Sequence, residues 1–116
     1  MLRKSRDDLD NPLSLALQQV GDAWMLMIIW SAVRGVSRFD DFQRELGVAR
    51  NILAERLRRL VDCGIMEKTP ISVGARRLEY RLTDKGMDLE ETLSGLSEWG
   101  SRWGAANKGE ALQAAE

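Results

Sequence analysis

Between Ser37 and Thr83 a short helical signal, a glycine turn, an arginine-rich helix and a two-stranded hairpin follow one another. The first helical signal opens at Ser37, whose hydroxyl is expected to accept an unpaired backbone N–H. Asp40, three residues on, suits the positive end of the helix dipole. Phe39, Phe42 and Leu46 mark its buried face. Gly47 ends it, and a second amphipathic pattern starts at Arg50, with Leu53, Leu57, Leu60 and Val61 at i, i+4, i+7 and i+8. Two short helices joined by a tight glycine turn make a helix-turn-helix, the motif that sets its second helix into a DNA major groove.

Turning the second helix at 100° per residue leaves Asn51, Glu55, Arg58 and Asp62 on the face opposite the leucines, with Arg59 near its edge, Arg50 in the first turn and Arg56 on a flank. A charged outer face alone is weak evidence, because water requires one. Arg50 is more telling: a cation at a helix N-terminus opposes the dipole, whereas a phosphate or a guanine edge is within its reach. After Gly64, read as the left-handed residue closing this helix, the period changes. Residues 65–69 and Leu78 to Leu82 read as strands, and Pro70 to Arg77 as a basic tip carrying Gly74, Arg76 and Arg77. Such a tip suits a phosphate backbone or a minor groove, and with the helical pair it makes a winged helix-turn-helix.

Five segments in order carry a family resemblance. They are Asn11-Pro12 with the helix behind it, Gly21-Asp22-Ala23-Trp24, Ser37-Arg38-Phe39-Asp40-Asp41-Phe42, Leu53 to Leu60, and Glu79-Tyr80-Arg81-Leu82-Thr83. Over about residues 11 to 104 the chain resembles the HxlR-type winged-helix transcriptional regulators, whose patterns include Gly-Gly-Lys-Trp and Arg-Phe-Ser-Glu-Leu at the second and third of these places. The resemblance implies a bacterial, cytoplasmic homodimer on an inverted-repeat operator. Three departures from the pattern matter. Asn11 stands where many members have cysteine, which excludes thiol sensing there. Ala49 stands where a serine usually caps the recognition helix, a loss of about 1 kcal/mol unless another group substitutes. Trp30 stands where relatives commonly have a polar residue.

The net charge of −1 conceals a division of the chain. From Arg34 to Arg81 eleven basic residues face seven acidic ones, while residues 82–116 hold three basic and seven acidic. Positive charge is concentrated in the winged-helix segment, the polarity expected if one face meets DNA and another meets a second subunit. The expected DNA-contacting residues are Arg38, Arg44, Arg50, Asn51, Glu55, Arg56, Arg58, Arg76 and Arg77.

The flanking helices read as dimer machinery. Pro12 suits a first helical turn capped by Asn11, with Leu13, Leu17 and Val20 on one face. Thr83 can cap a single C-terminal helix with Leu89, Leu93, Leu96, Trp99 and Trp103 along a broad stripe, more apolar surface than a domain this small needs for itself. The expected dimer interface is Leu13, Leu17, Val20, Leu93, Leu96, Trp99 and Trp103, aromatic residues being enriched at such contacts. Intramolecular packing of the stripe is the alternative.

The fold class expected is therefore mainly α with a small β-hairpin: a winged helix-turn-helix over residues 11–104 with N- and C-terminal dimerisation helices. Residues 1–10 and 105–116 are expected as flexible termini. The longest apolar run, Ala23 to Val33, has about half the length of a membrane span and reads as a core helix, so no membrane partner is expected. Residues 1–10 lack a secretory pattern. There is no histidine, no phosphate-binding glycine loop and no nucleophile elbow, so an enzyme is not expected, nor a cofactor or metal. Cys63, the only cysteine, excludes an internal disulfide and reads as a buried, inert thiol. Trp24, Met25, Met27, Trp30 and Met66 supply adaptable apolar surface for a small aromatic or quinone-like effector. Trp24 and Met27 read as core, and Trp30 is the pocket candidate. The functional alternative is a winged helix whose arginine face binds an acidic protein.

Overall fold

The computed structural model describes residues 11–104, and the expected flexible termini lie outside these. Six helices and two strands follow in the order α1 (Pro12–Val20), α2 (Ala23–Val33), α3 (Phe39–Leu46), α4 (Arg50–Asp62), β1 (Met66–Pro70), β2 (Leu78–Leu82), α5 (Asp84–Met87) and α6 (Glu90–Trp103). This is the winged helix-turn-helix expected from the sequence.

The core helix is α2. Met25, Ile28 and Ile29 are buried on it, against Phe42 of α3, Leu53, Leu57 and Leu60 of α4, and Ile65, Met66 and Leu93. Its start is fixed by Asp22, whose carboxylate accepts from the Met25 N–H at 3.2 Å. Asn11 caps α1 in the same way, accepting from Ser14 N at 2.9 Å, with Pro12 in the first turn. The two helices meet at a bend of 83°, and no single helix among the described residues is long and apolar enough to cross a membrane.

Gly47, at φ +66°, makes the turn between α3 and α4, a left-handed conformation that costs other residues about 1 kcal/mol or more. The end of α4 explains why β1 starts one residue later than the strand pattern suggested. Ile65 N donates to Leu60 O at 2.9 Å and Gly64 N to Val61 O at 3.0 Å, with Gly64 at φ +76°. The Ile65 N–H is thus spent on closing the helix, while its carbonyl accepts from Thr83 N at 3.0 Å, and the strand starts at Met66. The hairpin is antiparallel, with Met66 opposite Leu82 and Pro70 opposite Leu78. Pro70, lacking an N–H, stands at the end of its strand, where no ladder bond is lost.

Two expected helix starts differ. Ser37 does not cap α3: Arg38 holds that position without a side-chain cap, and the Ser37 hydroxyl donates to buried Glu79 at 3.3 Å. Arg81, 2.8 Å from Glu79, and then Ser37 hold this carboxyl below the usual range. Tyr80 N also donates to Ser37 O at 2.7 Å, so Ser37 ties the wing to the start of the motif. The single C-terminal helix is two. Thr83 caps the short α5, accepting from Gly86 N at 3.2 Å, and its own hydroxyl donates to Gly64 O at 2.5 Å. Gly86 packs so closely that an added Cβ would lie 2.3 Å from Ile65 O. This docking pins α5 against the end of α4, and α6 starts afresh at Glu90.

Candidate nucleic-acid interface

The exposed side of α4 and the wing bracket the expected contact surface. Between them opens a slot of about 420 Å³ lined by Arg38, Arg44, Arg50 and Arg77, with Asp40 and Asp41 between them. Three separate stretches of chain thus contribute four arginines to its lining: α3 with its cap residue, the first turn of α4, and the return of the wing.

Within the slot the arginines are organised by acids. Arg50 Nη1 lies 3.2 Å from Asp40 Oδ1 and 3.1 Å from Gln43 Oε1, and its guanidinium stacks 4.6 Å from the centre of the Phe39 ring. Arg50, whose charge opposes the dipole of α4, therefore has a stabilising reason for its place: an aromatic face and a carboxylate of α3 supply it. Arg44 pairs with Asp41. Along α4, Asn51 is exposed at the first turn and Arg58 lies exposed between Glu55 (3.6 Å) and Asp62 (3.5 Å). Arg76 is exposed beside Arg77 near the wing tip, where Gly74 takes φ +77°.

Two expected contact residues have other employment. Arg56 turns inward: its side chain is only 23% exposed, with Nη2 3.1 Å from Asp22 Oδ2 and Nη1 2.5 Å from Glu55 Oε1. It clamps the recognition helix to the start of α2, so it is withdrawn from the outer face. The Asp22 carboxyl is held below its ordinary range first by this hydrogen bond from Arg56, against some desolvation, and then by the Met25 N–H. Glu55 is half-buried among Arg56, Arg58 and Arg59 and acts as their shared counter-ion. Neither the Asp22–Arg56 clamp nor the pairing of the slot's acids with its arginines is explicit in the sequence pattern. The flank position of Arg56 on the helical wheel was the available signal for the first.

The expected dimer residues divide into two groups. Val20 and Leu93 are 6% exposed and belong to the chain's own core, so they are unavailable to a partner. Leu13 (67%), Leu17 (41%), Leu96 (54%), Trp99 (58%) and Trp103 (62%) are exposed. Met27, expected in the core, is also exposed, whereas Trp24 packs against the core. Trp30 is half-buried and lines an open apolar groove of about 300 Å³ with Leu26, Met27, Leu93, Leu96 and Ser97. Cys63 caps α4 and packs partly buried against the core, and its carbonyl accepts from Lys85 Nζ at 2.6 Å.

Residues 19–108 match the family model described as HxlR-like helix-turn-helix. The chain belongs to the HxlR-like helix-turn-helix family. Among similar proteins, the uncharacterized HTH-type transcriptional regulator Mb3122 of Mycobacterium bovis is 42% identical over 88 residues, covering 76% of this chain and 56% of the relative. The chain thus spans little more than half the length of that relative. Among solved structures, PA1607 superposes with a TM-score of 0.77 at 40% identity, over 86% of this chain and 70% of that one. The reduced form of the redox regulator HypR gives 0.72 at 27% identity, over 79% and 92%. As an HxlR-like chain, this one has the family's helix pair and wing, and Asn11 at the start of α1.

Proposed function

We propose that this chain is a sequence-specific DNA-binding transcriptional regulator that works in the cytoplasm as a homodimer on an inverted-repeat operator, and that residues 11–104 form its working domain. The observation that carries the reading is the four-arginine slot between α3, α4 and the wing, beside the exposed Asn51 and Arg58 of α4. Phosphates of one strand would lie along Arg38, Arg44, Arg50 and the wing arginines, while Asn51 and Arg58 reach base edges. Asn suits adenine and Arg suits guanine in the major groove.

The dimer rests on the exposed Leu96, Trp99 and Trp103 of α6 with Leu13 and Leu17 of α1, an apolar surface that water alone does not favour. Two reading heads about a two-fold axis require half-sites about 34–36 Å apart, or a multiple of it. The groove at Trp30 is the proposed seat of a small apolar effector, and because Leu96 lines it, an occupant would press on the dimer helix. No catalytic role is proposed.

The test is a gel shift on the DNA upstream of the gene, with and without excess unrelated duplex. A band surviving competitor supports the reading. The slot arginines already donate to the carboxylates of Asp40 and Asp41, so an acidic protein partner is the second reading. No shift at all favours it, whereas a band that unrelated duplex abolishes leaves DNA binding without sequence specificity.

A further inference from the structure

Two acids stand inside a slot that DNA phosphates are proposed to enter. Asp40 is the informative one, because it is the acid that pairs with Arg50, the arginine in the first turn of α4. Its carboxylate accepts from Arg50 Nη1 at 3.2 Å, while the guanidinium lies over the Phe39 ring at 4.6 Å from the ring centre and Gln43 accepts from the same nitrogen at 3.1 Å. The side chains of Arg50 and Asp40 are 66% and 79% exposed, so the pair is open to an incoming anion and weakly held. Carboxylate and phosphate offer a guanidinium the same kind of two-oxygen edge.

We propose that Asp40 is an internal stand-in for a DNA phosphate: it holds Arg50 oriented in the free protein and must be displaced from it by one backbone phosphate on binding. Asp40 is thus a positioning residue that sets the threshold for entering DNA of any sequence. The inference rests on the DNA-binding reading above. Phe39 and Gln43 keep the guanidinium in place when the carboxylate leaves, so the exchange needs no rearrangement of α3 or α4. Arg38, Arg44 and Arg77 line the same slot and attract the entering phosphate, while Asp41 is engaged with Arg44.

Removing the negative charge should tighten all duplexes alike, since a phosphate contact carries no sequence information. The Asp40→Asn variant, with Asp40→Ser as a second neutral form, is compared with the parent on upstream and unrelated duplexes over a salt series. Both variants are expected to bind both duplexes about two- to fivefold more tightly at low salt, with a salt slope steeper by up to about one unit. The gain should disappear in an Arg50→Ala background. An unchanged or weakened affinity, or an equal gain in the Arg50→Ala background, overturns the proposal, the latter by reducing Asp40 to general repulsion. Titration calorimetry with tripolyphosphate separates this from the reading beneath it. If the parent binds no DNA but Asp40→Asn takes tripolyphosphate more tightly in an Arg50-dependent way, the exchange stands and the DNA reading falls. If the variant shows no such gain, both fall.

Discussion

Arg56 Nη2 lies 3.1 Å from Asp22 Oδ2, and this contact joins the recognition helix to the first turn of the core helix 34 positions earlier. One carboxylate therefore serves twice, as the cap of α2 and as the counter-ion of α4.

Asp22→Ala should destabilise the domain by roughly 1–3 kcal/mol, through loss of a cap and of a hydrogen bond to a charged group. Asp22→Asn keeps a capping oxygen and isolates the ion pair. Because the folded-state pKa of Asp22 is lowered, its contribution is present above the unfolded-state value and is lost as pH falls through the folded one. Urea unfolding at a series of pH values should show the parent and Asp22→Asn well separated at neutral pH and converging below about pH 4. A gap that stays constant into acid would remove the ion pair from the account.

Trp99 and Trp103 leave α6 with exposed aromatic surface, so a variant with both changed to Ser should fall apart to monomers at concentrations where the parent sediments as a dimer. The domain fold should survive, since neither side chain is in the core. A parent that sediments as a monomer at micromolar concentration would contradict the dimer.

Cys63→Ser should leave DNA affinity and the response to diamide unchanged, because the thiol packs partly buried at the end of α4 with no second cysteine in the chain. If oxidant released the parent from DNA but not the variant, Cys63 would be a switch.

The helix pair and the wing were legible in the sequence because each has its own periodicity and its own punctuation. Phe42, Leu53, Leu57 and Leu60 fall on the buried stripes they imply, and Gly47 and Gly64 are the left-handed stops. What one helical wheel cannot show is a partner on another element. Arg56 sits on the flank of α4, and only the packing of α2 turns it from a surface cation into a clamp. Val20 and Leu93 continue apolar stripes shared with exposed leucines, yet each is the one apolar residue of its helix that is buried in the core, so the same stripe is part core and part surface. Ser37 precedes a helix as a cap should, but the hairpin brings Glu79 to its hydroxyl from 42 positions away. The slot at Arg50 combines α3, α4 and the wing, and none of these alone implies it.

The central claim, that α4 reads sequence while the wing supplies general affinity, is tested most directly by measuring salt-dependent binding of helix and wing variants to upstream and unrelated duplexes. Asn51→Ala and Arg58→Ala should each lose roughly 1–3 kcal/mol on the upstream duplex and little on the unrelated one. Arg76→Ala/Arg77→Ala should weaken both alike and reduce the salt slope by about two units. The account is contradicted if the wing variant loses discrimination between the duplexes while the helix variants retain it.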